Sequence, residues 1–396
     1  MSASSPEAHA QTRLILILAI SGFASTFAGR AMEPLVGVVA RDLQTDPRTI
    51  ALLSTAYALP YAFIQPILGP VGDALGKERI IKICLAALAL TLAGCAVATT
   101  SETLFALRIL SGAAAGGVIP LALALLGDRI DLGQRQVAIS RLLVAVVLGQ
   151  LSGSSLGGIM AGWIGWRGVF WLATFMGTAA CAAAILGFAA PPRAGTPFEI
   201  AGAIARYKVI LANPRARALF SLVFVEALAI FGIFPFIAPM LETRGEGGPT
   251  EAGLALAGFA IGGLIYSTLV RTMLTYLGLS RMLIGGGLLC GIALVVVGLA
   301  GSWKLDAAAL TVLGLGFYML HNSFQTQVTE VAPEARASAV ALHAFSFFCG
   351  QALAVVLFGL GLRTIGQEPS MAVCAAAVVA LGFAASWLLA RQPRAR

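Results

Sequence analysis

Apolar residues fill positions 14 to 38 almost without interruption, give way to a short polar cluster, and resume at 49. The alternation persists along the chain, with runs over 49–70, 80–100, 103–127, 137–162 and 168–190, then 217–240, 252–272, 281–301, 306–329, 337–361 and 370–390. Each run holds about 20 residues or more, the length at which an α-helix crosses a hydrocarbon core roughly 30 Å thick. In that core backbone N–H and C=O groups must be satisfied without water, which selects helices over open strands. The pattern predicts an all-α membrane protein of twelve transmembrane helices, with no soluble domain left over.

The longest polar interval, 191–216, combines prolines, basic residues and a short amphipathic stretch. It separates six predicted helices (1–190) from six more (217–396). Shifting the chain by 202 residues lays "DPRTIALLSTAYALPYAFIQPILGPVGDALGKERI" over "GPTEAGLALAGFAIGGLIYSTLVRTMLTYLGLSRM" without a gap, pairing Pro47 with Pro249, Gly76 with Gly278 and Arg79 with Arg281. A shift of 201 pairs Arg135 with Arg336, Gly149 and Gln150 with Gly350 and Gln351, and Gly158 with Gly359. A nearly constant offset predicts a duplicated unit, hence two pseudo-symmetric six-helix bundles of the kind secondary transporters use.

Composition agrees with this picture. At 59% hydrophobic and 11% charged residues, the chain has too little polar surface to coat a soluble globule. Its six cysteines all fall inside apolar runs, with no C-x-x-C and no histidine at ligand spacing, so they read as inert small hydrophobes and no metal or cofactor is expected. The first run is too long for a cleaved signal peptide and is expected to stay as the first helix.

Charge sets the expected orientation. With both termini cytoplasmic, eighteen of the 26 lysines and arginines fall inside and six outside, while Arg30 and Arg108 lie within the membrane. That is the bias of the positive-inside rule. Topology thereby accounts for the net charge of +8 without a nucleic-acid partner. The expectation is a monomer in a bacterial inner (plasma) membrane.

After helix 2, "GPVGDALGKERII" resembles the G-x-x-x-D-(R/K)-x-G-(R/K)-(R/K) motif of the major facilitator superfamily. Gly69, Asp73, Gly76 and Lys77 fit; Ala74 and Glu78 stand where basic residues are usual, and Arg79 lies one place late. The resemblance implies that Gly69, Asp73, Gly76, Lys77 and Arg79 form a conformational latch. On helix 4, "RILSGAAAGG" is similar to the family's R-x-x-Q-G motif through Arg108 and Gly112, with Ser111 in place of glutamine; members of the family use that arginine in proton coupling. On helix 5, "GQLSGSSLGG" has the spacing seen in the twelve-helix drug/proton antiporters, through Gly149, Gly153, Gly157 and Gly158, with Ser154 at the proline position. The same glycines suit close helix packing.

Charges inside an apolar helix cost about 2.5 to 3.5 kcal/mol each near the bilayer centre and so tend to face protein or a wet cavity. By helical rise, Arg30 lies about 24 Å along helix 1 and Arg108 about 8 Å along helix 4 from the opposite side, placing them at similar depth. Arg30 and Glu33 share a helix face beside Pro34, and with Arg108 they suggest a charged cluster in which Glu33 is a candidate proton carrier; a structural ion pair near the rim is the alternative. Helix 7 carries Glu226, helix 10 His321, Asn322 and Gln325, and helix 11 His343. These form a second candidate protonation site, or polar contacts that hold helices together. Tyr57, Tyr61 and Gln65 line one side of helix 2, and Gln150 and Gln351 occupy repeat-related positions. All are candidate substrate contacts.

The leading expectation is a secondary transporter that exports amphipathic organic molecules by alternating access and proton antiport, with the proton gradient as its energy source. Uptake of an organic anion or siderophore is the alternative, since two intramembrane arginines suit negative charge. An enzyme is not expected, because no nucleophile–base pair or metal cluster is visible. A sensor lacks an output module, and the P-loop of an ATP-driven pump is absent.

Overall fold

The structure, a computed structural model, describes residues 6–188, 200–299, 301–332 and 336–390. Among them ten helices are long and apolar enough to cross a membrane. Eight are single spans: α1 (His9–Asp42), α2 (Pro47–Leu68), α3 (Lys77–Val97), α4 (Ser101–Arg129), α7 (Pro214–Arg244), α10 (Trp303–Val328), α11 (Ser338–Thr364) and α12 (Gln367–Leu389). The other two, Val137–Gly187 and Pro249–Leu299, are each 51 residues long. Each is broken by one glycine in the left-handed region, Gly165 (φ +68°) and Gly278 (φ +67°). Only glycine adopts that backbone without a steric penalty, and here it reverses the chain.

The reversal is visible in the neighbours. In α5 (137–164), Gly149, Gly153 and Gly157 lie against Phe23, Phe27 and Ala31, climbing alongside α1. In α6 (166–187) the chain returns until the Leu186 carbonyl accepts a hydrogen bond from Arg13, at 2.7 Å, near the start of α1. Likewise, α8 (249–277) runs parallel to α10, with Gly258 beside Ala307 and Gly262 beside Thr311. In α9 (279–299) the direction is opposite, with Gly286 beside Gly316 and Cys290 Sγ 3.6 Å from the Leu313 carbonyl. Ten long helices are therefore twelve spans.

The duplication recurs in local structure. Left-handed glycines occupy Gly76 and Gly278, and again Gly165 and Gly366. Thr100 caps α4 by accepting from the Thr103 amide, and Ser302 caps α10 by accepting from the Leu305 amide, each satisfying an otherwise orphaned donor at a helix start. Gly112 leaves no room for a Cβ against the Tyr57 carbonyl, and its counterpart Gly314 none against that of Phe259. The fold is an all-α membrane fold of two six-helix repeats.

The chain separates into two compact units, Met1–Met32 with Ala56–Ala203, and Glu33–Thr55 with Ile204–Arg396. In the first, Leu18, Leu85, Leu121, Leu125 and Leu142 anchor an apolar core. In the second, the connector helix Ile200–Ala212 seats Ile210 against Ala216, Phe220, Val328, Ala339 and Leu342. The expected linker begins in residues outside those described.

Two spans are interrupted at matching places. The α-helix of α1 ends at Arg30, a 3-10 turn covers Glu33–Leu35, and the helix resumes at Val36. In α7 a 3-10 segment covers Phe231–Phe236, and the helix resumes at Ile237. Pro34 and Pro235 sit inside these breaks; each lacks the amide hydrogen a continuous helix needs.

Candidate functional site

Arg108 is fully buried on α4. Its Nη1 donates to the Ala28 carbonyl at 3.0 Å and its Nη2 to the Gly29 carbonyl at 3.4 Å. The last carbonyls of any α-helix lack partners within it, and these two belong to the last turn before the α1 break. The guanidinium carbon lies 4.3 Å from the centre of the Tyr57 ring, and Tyr57 donates its hydroxyl to the Ser25 carbonyl at 3.0 Å. Charge-assisted hydrogen bonds contribute about 1.5 to 3 kcal/mol each, and a desolvated cation–π contact roughly 2. Together they offset the cost of a cation in an apolar core. Of the other candidates on α1, Arg30 is half-buried and Glu33 is 3% exposed.

In the second unit, α7 presents Glu226 four residues before its break. The residue is fully buried, and its Oε2 lies 2.8 Å from His321 Nδ1 on α10. The His343 ring on α11 has its centre 5.6 Å from that of His321. Phe317 stacks on His321 at 4.9 Å, and Phe347 meets it edge-on at the same separation. Rings on two sides keep the imidazole in one place beside the carboxylate. Glu226 Oε1, His343 Nε2 and Gln351 Oε1 are buried and have no hydrogen-bond partner among the described residues. Asn322 donates to the Tyr266 hydroxyl at 2.8 Å, whereas Gln325 is exposed.

The remaining candidates spread over the first unit, apart from Gln351. Tyr57, Tyr61 and Gln65 are buried along α2, with the two tyrosine rings stacked at 6.0 Å. Gln150 is half-buried on α5 and Gly158 is buried. Gly149, Gly153 and Gly157 bring α5 against α1; a Cβ on Gly153 would come within 2.6 Å of the Phe27 carbonyl oxygen. Of the latch residues, Gly76 has φ +91°, Lys77 pairs with Asp128 at 2.7 Å and Arg79 is exposed. The side chains of Gly69 and Asp73 lie outside those described. Glu78, at a position where the motif is usually basic, pairs with Arg129 at 2.7 Å.

Several residues escaped the sequence reading. Phe317 and Phe347 were hidden among apolar neighbours, though each stands four residues from a histidine, a spacing that places both on one helix face. Arg41 and Glu242 form an ion pair at the far ends of α1 and α7. Arg244 and Asp306 form another at 3.1 Å. The signal for the first was the repeat itself, since the two residues stand one repeat interval apart.

Comparison with known proteins agrees with this architecture. The family model described as Major Facilitator Superfamily matches residues 18–248 and 219–396. An uncharacterized MFS-type transporter, YwfA, of Bacillus subtilis is 25% identical over 384 residues, covering 96% of this chain and 92% of that protein. A triacylglyceride transporter of Mycolicibacterium hassiacum is 31% identical over 41% of this chain and 29% of its own length. An efflux pump, apf11, of Gibberella fujikuroi is 29% identical over 48% of this chain and 34% of its own length. Among solved structures, the nucleoside transporter NupG superposes with a TM-score of 0.77 at 16% identity, covering 96% of this chain and 100% of that one.

Proposed function

The chain belongs to the major facilitator superfamily, and we propose that within it the protein is a proton-coupled exporter of amphipathic small organic molecules, working by alternating access. The observation that carries the coupling is the buried Glu226–His321 pair, with oxygen and nitrogen 2.8 Å apart. A hydrogen bond between a carboxylate oxygen and an imidazole nitrogen holds one proton, whichever atom owns it. An ionisable group inside a spanning helix is by default a functional candidate, because its insertion cost must be offset by something. On this reading Glu226 and His321 take up and release the transported proton, and the proton gradient drives export without a cofactor.

Export is supported by the likeness to the efflux pump, and a largely apolar organic cargo by the likeness to the triacylglyceride transporter. Uptake of an organic anion has weaker support, since Arg108 would have to leave the Ala28 and Gly29 carbonyls to meet a carboxylate.

The test is purified protein in liposomes under an imposed pH gradient, with counterflow of a cationic dye and of a carboxylate measured side by side. The proposal expects saturable, gradient-dependent movement of the dye. Saturable transport of the carboxylate alone, or no dependence on the gradient, would overturn it.

A further inference from the structure

We propose that the groove between the adjoining ends of α9 and α12 holds a phospholipid with a primary-ammonium headgroup, of the phosphatidylethanolamine type, with one acyl chain in the groove and the ammonium on Glu368. The two helices run antiparallel through small residues: Gly287 lies against Gly382, Gly291 against Ala375 and Gly298 against Met371. Where α9 stops and α12 starts, a cavity of about 300 Å³ lies beside this seam. Gly298 and Met371, both buried, form its floor, while Val295, Leu299 and Ala372, all exposed, form its rim. Exposed apolar side chains on spanning helices face hydrocarbon, and a groove at the lower bound of the roughly 300 to 1,000 Å³ of small-molecule sites takes part of one chain rather than a whole lipid. Glu368 is the charged member of the lining. It is exposed, and its carboxylate makes no hydrogen bond or ion pair among the described residues. Arg363, on the other side of the turn at Gly366 (φ +86°), is exposed in the same way and has no ion pair among the described residues. An acid and a base at one turn match the two charges of a zwitterionic headgroup. An ammonium brings three N–H donors to the carboxylate, and a guanidinium suits phosphate.

The repeat supplies an internal control. In the first unit the place of Glu368 is taken by Arg167 and that of Gln367 by Trp166. Arg167 donates from Nη2 to the Ala98 carbonyl at the end of α3, at 3.1 Å, and its guanidinium carbon lies 4.2 Å from the centre of the Trp166 ring. That side chain closes the helix end, whose last carbonyls lack partners within the helix. In the second unit Gln367 does this work, donating from Nε2 to the Gly298 carbonyl at 3.1 Å. Glu368 is thereby left over at the mouth of the groove, with its charge turned to no group of the chain.

The experiment reconstitutes the full chain in liposomes containing either phosphatidylethanolamine or phosphatidylglycerol that bears the same diazirine-tagged acyl chain, and measures photolabelling of the peptide holding residues 295–299. In wild type the ethanolamine lipid should label this peptide about fivefold more than the glycerol lipid, the scale of one exposed ion pair. Glu368→Gln should bring the ratio to about one, and Glu368→Arg, which restores the charge of the first repeat, should reverse it. Ala372→Trp fills the groove and should reduce labelling by both lipids. An acid in the first turn of a helix is also favoured by the helix dipole; were that its whole role, Glu368→Gln would lower the melting temperature and leave the lipid ratio unchanged, which would overturn the proposal. Cross-links from residues 295–299 to a second copy of the chain in place of lipid would overturn it too, as would displacement of the label by the cationic dye of the transport assay. The readout involves no transport, so a failure of the proposed function leaves this test intact.

Discussion

Arg41 and Glu242 stand 201 residues apart and form an ion pair, although the repeat makes them the same position in two copies of one unit. The pair lies past the breaks in α1 and α7, and Gly37 makes room for it: a Cβ there would come within 2.5 Å of the Glu242 carboxylate. Thr55 donates to the Ala352 carbonyl at 2.8 Å, tying Glu33–Thr55 to α11 within the second unit.

With Arg41 59% exposed, the pair contributes at most about 1 kcal/mol to stability, so its substitution should change transport more than folding. Arg41→Glu is expected to lower the transport rate with little change in melting temperature. The exchanged double variant Arg41→Glu with Glu242→Arg should recover the rate. A double variant no better than the single one would show that the contact has no bearing on the cycle.

The Arg244–Asp306 pair should behave differently because it is shielded, with side-chain exposures of 17% and 2%. Arg244 also donates to the Val297 carbonyl at 3.0 Å, joining α7 to α9 and α10. Removing one partner of a buried pair strands the other, which costs roughly 3 kcal/mol or more. Asp306→Asn is therefore expected to lower the melting temperature in detergent by several degrees, and more than Glu242→Gln does. Equal effects from the two substitutions would contradict this ranking.

Gly112 and Gly314 predict a matched pair of failures. Alanine at either would drive a Cβ into a backbone carbonyl of the neighbouring helix, Tyr57 or Phe259, and backbone cannot step aside as a side chain can. Both variants should express poorly or melt early. Gly127→Ala is the control: nothing lies within 4 Å of its added Cβ, and a helical Gly→Ala change there should be neutral or stabilising by about 1 kcal/mol. Thermal unfolding of the three proteins checks the order.

The spans were legible because each is long, apolar and bounded by charge, and the repeat because its glycines must stay glycine wherever the backbone turns left-handed, as at Gly76 and Gly278. The interruptions were half visible. Pro34 marked a distortion in α1, whereas the longer 3-10 segment at Phe231–Phe236 lies in an apolar run whose hydropathy does not change. At the site, Glu226, His321 and His343 stood out as ionisable groups in apolar helices. Their meeting across three helices depends on helix rotation, which periodicity does not set when every face is apolar. Phe317 and Phe347 were lost for the same reason. Arg41, Glu242, Arg244 and Asp306 lie at span ends, where charge is expected and so carries little information.

The most direct measurement is proton-coupled flux through Glu226→Gln in liposomes, with Glu33→Gln as its comparator. The amide keeps the size of the side chain and removes its titration. The account predicts that Glu226→Gln retains substrate exchange when the compound is present on both sides but loses accumulation driven by a pH gradient, while Glu33→Gln keeps both. Gradient-driven accumulation at the wild-type level in Glu226→Gln would contradict it.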